Sequence, residues 1–95
     1  MYARVVRFTD VTPERIAEIE ARIEENDGPP EGVPSTGLRL LYDEDQATAV
    51  FVGFFATEED MRTGGEVLAQ MNSGDTPGTR ASVDHCEVRV ERDMG

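Results

Sequence analysis

The stretch from Ala47 to Ala56 reads Ala-Thr-Ala-Val-Phe-Val-Gly-Phe-Phe-Ala, and as a strand it is apolar on both of its alternating faces. Ala49, Phe51 and Phe55 fall on one side, and Val50, Val52 and Phe54 on the other, because successive strand side chains point in opposite directions. An antiparallel strand with one wet face alternates apolar with polar residues. This one does not, so both faces of its sheet need cover. Ala3 to Thr9 makes the same demand more weakly, with Val5 on one face and Val6 and Phe8 on the other.

The rest of the chain supplies cover for one face. Thr12-Pro13-Glu14 offers a capping hydroxyl, a proline at the first helical position and an early acid, which together open a helix. Ile16, Ile19 and Ile23 then recur at helical spacing, and Asn26-Asp27-Gly28-Pro29-Pro30 ends the run. The loop that follows, to about Thr36, is rich in Pro and Gly; it reads either as a rigid crossing or as a lid over a pocket. Gly37 to Asp43 and Ala47 to Ala56 form a hairpin about the polar turn Glu44-Asp45-Gln46. Thr57-Glu58-Glu59-Asp60 repeats the cap and opens a second helix carrying Met61, Val67, Leu68 and Met71. Gly64-Gly65 inside it weakens the helix by about 1 kcal/mol per glycine, which suits a place where the helix presses on the sheet or bends. Ser73 to Gly78 breaks the chain again, and Ser82 to Glu91 reads as a fourth strand.

The order strand, helix, strand, strand, helix, strand predicts an α+β, ferredoxin-like βαββαβ fold. In it a four-stranded antiparallel sheet carries both helices on one face, with the first and third strands central. The 95 residues make one domain, 1–95, burying about two-thirds of the surface of the extended chain. Both helices lie on one face, so the other face is expected to meet a second copy of itself, giving a two-fold homodimer.

Charge narrows the partners. Nine basic residues against 20 acidic ones leave a net charge of −11, which disfavours nucleic acid and anionic membrane alike. All nine basic residues are Arg, a bias that fits either a GC-rich coding sequence or a high-salt setting. The longest apolar stretch, Ala47 to Ala56, is too short to span a bilayer. Arg7 interrupts what would be the apolar part of a signal peptide, and the single Cys86 has no partner for an internal disulfide, so a cytoplasmic location is expected.

The segment Phe51-Val-Gly-Phe-Phe-Ala-Thr-Glu-Glu-Asp-Met-Arg62, set in this element order, resembles the passage from third strand to acid-rich helix in the dimeric α/β-barrel superfamily. That group includes antibiotic-biosynthesis monooxygenases and stress-responsive barrel proteins. The resemblance spans essentially the whole chain. It implies a dimeric α/β barrel with a small pocket between each sheet and its helices, and, for some members, cofactor-independent oxidation of aromatic or quinol-type substrates. The chain departs from those members in having no Trp, and its one histidine lies in a strand, not a helix. No catalytic residue transfers from the group.

Candidate residues therefore come from the chain itself. His85 is the side chain that titrates near neutrality, and it shares a strand face with Glu87 and Arg89. It reads either as a ligand-binding group that could act as a general acid or base, or as a sheet-face histidine bonded to a carboxylate at the dimer interface. Arg4, Arg7, Arg39 and Arg89 sit in predicted strands, where a charge needs a partner, an ion pair or an anionic ligand. Arg7 and Arg39 are taken with His85 and Tyr42 as the ligand-binding set, Tyr42 as a hydrogen-bond donor. Cys86 is expected to be a small buried residue. Asp84-His85-Cys86 diverges along a strand and makes no metal site, and Gly64-Gly65 lacks the context of a phosphate-binding loop. No cofactor is expected. The functional readings are binding of a small apolar or aromatic ligand, oxygen-dependent oxidation of such a ligand, or contact with another protein through the acidic exterior.

Overall fold

The computed structural model describes residues 1–25, 32–69 and 77–92. Strand β1 (Tyr2–Thr9) leads to helix α1 (Pro13–Glu25), then come β2 (Gly37–Asp43), β3 (Thr48–Phe55), helix α2 (Glu58–Ala69) and β4 (Thr79–Glu87). All pairings are antiparallel and the strand order is β2-β3-β1-β4, so β1 and β3 are central as expected. This is a ferredoxin-like α+β fold.

Both helix starts are built as their sequences require. The Arg15 backbone N–H donates to Thr12 Oγ1 at 3.1 Å, and the Asp60 N–H donates to Thr57 Oγ1 at 3.0 Å. Each hydroxyl satisfies an amide that has no partner within its helix. Between β2 and β3 the Gln46 N–H donates to Asp43 Oδ1, and Ala47 takes a φ of 50°. Ala47 is therefore a turn residue, and β3 starts at Thr48, one residue later than the apolar run suggests.

Parity along the strands assigns the faces. Val6, Phe8, Val11, Ile16 and Ala49 form one buried cluster; Val33, Phe55 and Met61 form another. Even-numbered residues of β1 and β2 and odd-numbered residues of β3 thus face the helices. α1 contributes Ile16 to the first cluster, and α2 contributes Met61 to the second, with Val67 and Leu68 beside it. The opposite, open face carries Val5, Val50, Val52, Phe54 and Leu41, of which Leu41 is 52% exposed.

Three expectations are corrected. β4 begins at Thr79 and ends at Glu87, where Ser82 to Glu91 was expected; its ladder with β1 closes where the Val88 N–H donates to the Met1 carbonyl. Cys86 is exposed, because β4 is an edge strand and nothing in the described chain covers its open face. His85 pairs across the ladder with Arg4, which points towards α2, so the imidazole lies on the helix face and not on the open face where a sheet-to-sheet dimer would meet.

The second half of the long loop is held to the sheet. Val33 is buried against Phe55, the Thr36 N–H donates to the Phe54 carbonyl at 2.8 Å, and the Ser35 hydroxyl donates to the same carbonyl. This part is a fixed crossing; the first part of the expected lid, residues 28–31, lies outside the described residues, as do Met71 and the breaker segment from Ser73 to Thr76.

Candidate functional site

The helix face of the β1–β4 ladder reads as a series of rungs. Tyr2 pairs with Glu87, Arg4 with His85, and Val6 with Val83. Above the first rung lies the opening turn of α2, and between them is a cleft of about 420 Å³ lined by Tyr2, Glu58, Met61, Arg62, His85 and Glu87, with Cys86 at its margin. Met61 and Gly65 are one helical turn apart, so the same helix face passes from the cleft onto the second rung. A Cβ on Gly65 would lie 3.4 Å from Arg4 Nε and 3.9 Å from His85 Nε2. Gly65 therefore roofs the Arg4 and His85 pair with bare backbone.

The polar groups of the cleft divide into engaged and unengaged. Arg62 donates to Glu58 at 2.6 Å, and Arg89 donates to Glu87 at 3.2 Å, both pairs exposed and so worth at most a few tenths of a kcal/mol to about 1 kcal/mol. Arg4 is different. It is 9% exposed, and its Nε has no hydrogen-bond partner among the described residues. Burial, and secondarily the positive charge of Arg80, draw its pKa below the ordinary arginine value. Along β1 the Arg4 rung falls between the two apolar clusters, so the sheet places a charge where a continuous core would have an aliphatic residue.

The four residues expected to share a ligand do not converge. His85 lies in the cleft on β4. Tyr42 is on the same face but on β2, at the opposite edge of the sheet, three strand spacings across and four residues along, which at about 4.8 Å and about 3.3 Å each is roughly 20 Å away. Arg7 and Arg39 are exposed on the open face, beside Val5 and Leu41. The reason is parity: Arg4 and Arg7 are three apart in one strand and must take opposite faces. Tyr2, Glu58, Met61 and Arg62 line the cleft instead, and the available signal was the Gly64-Gly65 pair, whose place on α2 marks where that helix meets the sheet. Arg89 pairs with Glu87, the carboxylate the sequence offered it.

Tyr42 has its own chemistry. Its hydroxyl is buried without a hydrogen-bond partner among the described residues. Desolvation first, then the carboxylates of Glu44 and Glu14, raise its pKa. As pH climbs through the ordinary phenol value of about 10, the unfolded chain releases this proton while the folded chain keeps it. Stability is unaffected below that value and falls above it. Tyr42→Phe should remove this loss, so its melting temperature should decline less than wild type between about pH 9.5 and 11. Parallel declines in the two proteins would show that the phenol ionises as it does in the unfolded chain.

Among the described residues there is no cluster of three or more His, Cys, Asp or Glu placed to hold a metal ion, and no helix long and apolar enough to cross a membrane. In comparisons with protein-family models, curated proteins and solved structures, nothing matches the chain.

Proposed function

We propose that this chain is a homodimer of the dimeric α/β-barrel type that binds a small apolar or aromatic molecule in the cleft between α2 and the β1–β4 end of the sheet. The cleft carries the reading. At about 420 Å³ it lies within the range of small-molecule sites, of roughly 300–1,000 Å³. Met61 and the ring of Tyr2 give it apolar wall, and His85 gives it an imidazole able to donate or accept a hydrogen bond. Its carboxylates are engaged by Arg62 and Arg89, which leaves the imidazole and the phenol to meet a ligand.

The open face supports the dimer. Val5, Val50, Val52, Phe54 and Leu41 form its apolar centre, and its charges balance: Arg7 and Arg39 against Asp43 and Asp84. In a chain of net charge −11 this face is the part on which two copies meet without strong repulsion. Two such sheets stack about 10 Å apart, side chain against side chain. The single cysteine fits a reducing, cytoplasmic setting.

The test is a titration with neutral aromatic compounds, followed by NMR at Tyr2, Met61 and His85. Saturable shifts at these three positions are the expected result. Shifts absent across the panel, or confined to the open face, would overturn the reading. Oxygen uptake with hydroquinones in the same panel separates turnover from binding, and its appearance would make the protein a cofactor-independent monooxygenase.

A further inference from the structure

We infer that the β2 edge of the sheet is a second contact between copies of this chain, in which β2 pairs antiparallel with its own counterpart about a two-fold axis through Leu41. The contact goes beyond the cleft and the open-face dimer and depends on neither. An edge strand offers a row of free backbone N–H and C=O groups to any strand that fits, and proteins blunt such rows with bulges, prolines or inward charges. β4 is blunted in this way. Its ladder slips between Arg7 and Phe8, leaving Ala81 without a partner on β1, and the helix side of the strand carries Arg80, His85 and Glu87. β2 is not blunted. Gly37 to Asp43 keep one unbroken register with β3, none is proline, and Leu38 and Leu41 are each about half exposed.

The chemistry of β2 reads the same in both directions from Leu41. In a self-pairing centred there, Leu41 meets Leu41, Arg39 meets Asp43 twice, and Leu40 meets Tyr42 twice. Arg39, Leu41 and Asp43 are on the open side, and Leu40 and Tyr42 on the helix side, so both members of every pair share a face. The charges are available for it. Arg39 has no carboxylate partner among the described residues, and the Asp43 carboxylate is met by Gln46, whose donors are uncharged. Other registers lose the match: an axis through Leu40 sets Arg39 against Leu41, one through Tyr42 sets Leu41 against Asp43, and one through Arg39 sets arginine against arginine. An axis between two residues turns the open side of one copy to the helix side of the other. The Leu41 register instead joins two four-stranded sheets into one whose open sides face the same way, so the open-face contact stays available to both copies. A single pair of short strands covers less than the roughly 1,200 Å² of a standard interface, so the association is weak and grows with concentration.

The experiment sets single cysteines on β2 of the full chain, in a Cys86→Ala background, and follows disulfide formation under mild oxidation at high protein concentration. Directly opposed residues have Cβ atoms about 4.5–5.5 Å apart, which a small shift brings within disulfide reach. Residues four positions out of register are roughly 13 Å apart and out of reach. Leu41→Cys should therefore cross-link to itself at least about tenfold faster than Arg39→Cys or Asp43→Cys does, although all three positions are exposed. A mixture of Arg39→Cys and Asp43→Cys chains should cross-link one to the other as fast as Leu41→Cys, and it serves if the Leu41 variant fails to fold. The pattern should persist when Val52→Asp is added, because Val52 lies on β3 and not on the β2 edge. The wild-type mass in sedimentation equilibrium should rise with concentration towards twice its dilute value. Equal cross-linking at the three positions, which marks random collision, would overturn the inference. So would folded variants that do not cross-link, or a mass independent of concentration; in each case the cleft and the open-face dimer stand. Loss of the pattern on adding Val52→Asp would assign the contact to the open face and overturn the edge pairing.

Discussion

Val52→Asp is expected to convert a species of about 21 kDa, twice the 10.5 kDa chain, into one of 10.5 kDa on a sizing column with light scattering. Val52 lies at the middle of the open face, opposite Val5 on β1 and Arg39 on β2. In the proposed two-fold dimer both copies of a substitution fall in the same interface, so one mutation inserts two carboxylates. Each loses its water at a cost of several kcal/mol, and only one arginine stands next to it. The combined cost corresponds to a weakening of about a thousandfold or more. The fold itself should survive, because Val52 is only half-buried within the chain and belongs to neither core cluster. An unchanged far-ultraviolet spectrum with halved mass is therefore the expected pair of observations. A wild-type protein already at 10.5 kDa would mean that the open face is not paired, and the barrel reading would fall with it.

The architecture was legible because the local signals agree. Thr12 and Thr57 cap their helices as their neighbours suggest, Asp43 and Gln46 close the hairpin, and the apolar runs give the strands in the right order. What the sequence withheld is parity. A strand apolar on both sides, as β3 is, does not say which side meets the helices, and β1 carries an arginine on each face. The choice of Arg7 and Arg39 over Arg4 follows from that ambiguity. The packing of the helices resolves it: Ile16 of α1 shares a cluster with Val6, Phe8 and Ala49, and Met61 of α2 shares one with Phe55, which fixes odd residues of β3 and even residues of β1 towards the helices. Once the parity is set, His85 must join Arg4, and Tyr42 is left on the far edge. The end of β4 was misread for a different reason: Val88 and Val90 have strand propensity, but the ladder closes at Met1 and Val90 is 82% exposed.

Gly64→Ala should change sign with the residue beneath it. In the wild-type protein an added Cβ would stand 2.6 Å from Phe55 Cε1 and 3.2 Å from Val33 Cγ1. The gain in helix propensity, about 1 kcal/mol, is outweighed by overpacking of about 1–3 kcal/mol, so the variant loses stability. Phe55 is 1% exposed and packs with Val33 and Met61, so its ring cannot turn into solvent. Truncating it altogether is the larger insult: Phe55→Ala should cost about 3–5 kcal/mol, a large share of the roughly 5–14 kcal/mol available to a chain of this length. Melting should then fall by about 15 °C or more. Phe55→Leu removes the ring atoms nearest Gly64 and keeps most of the volume, so in that background Gly64→Ala should become neutral or stabilising. The resulting coupling, about 1 kcal/mol or more, is read from a double-mutant cycle in denaturant. Equal effects of Gly64→Ala in both backgrounds would show that the helix does not rest on this ring. That contact matters beyond stability, because the same turn of α2 that presses Gly64 onto Phe55 sets Gly65 over Arg4 and His85 and holds Met61 at the cleft. A helix lifted by an added methyl group should open the cleft as it loses stability, and cleft binding and melting temperature should fall together in Gly64→Ala and recover together in the double variant.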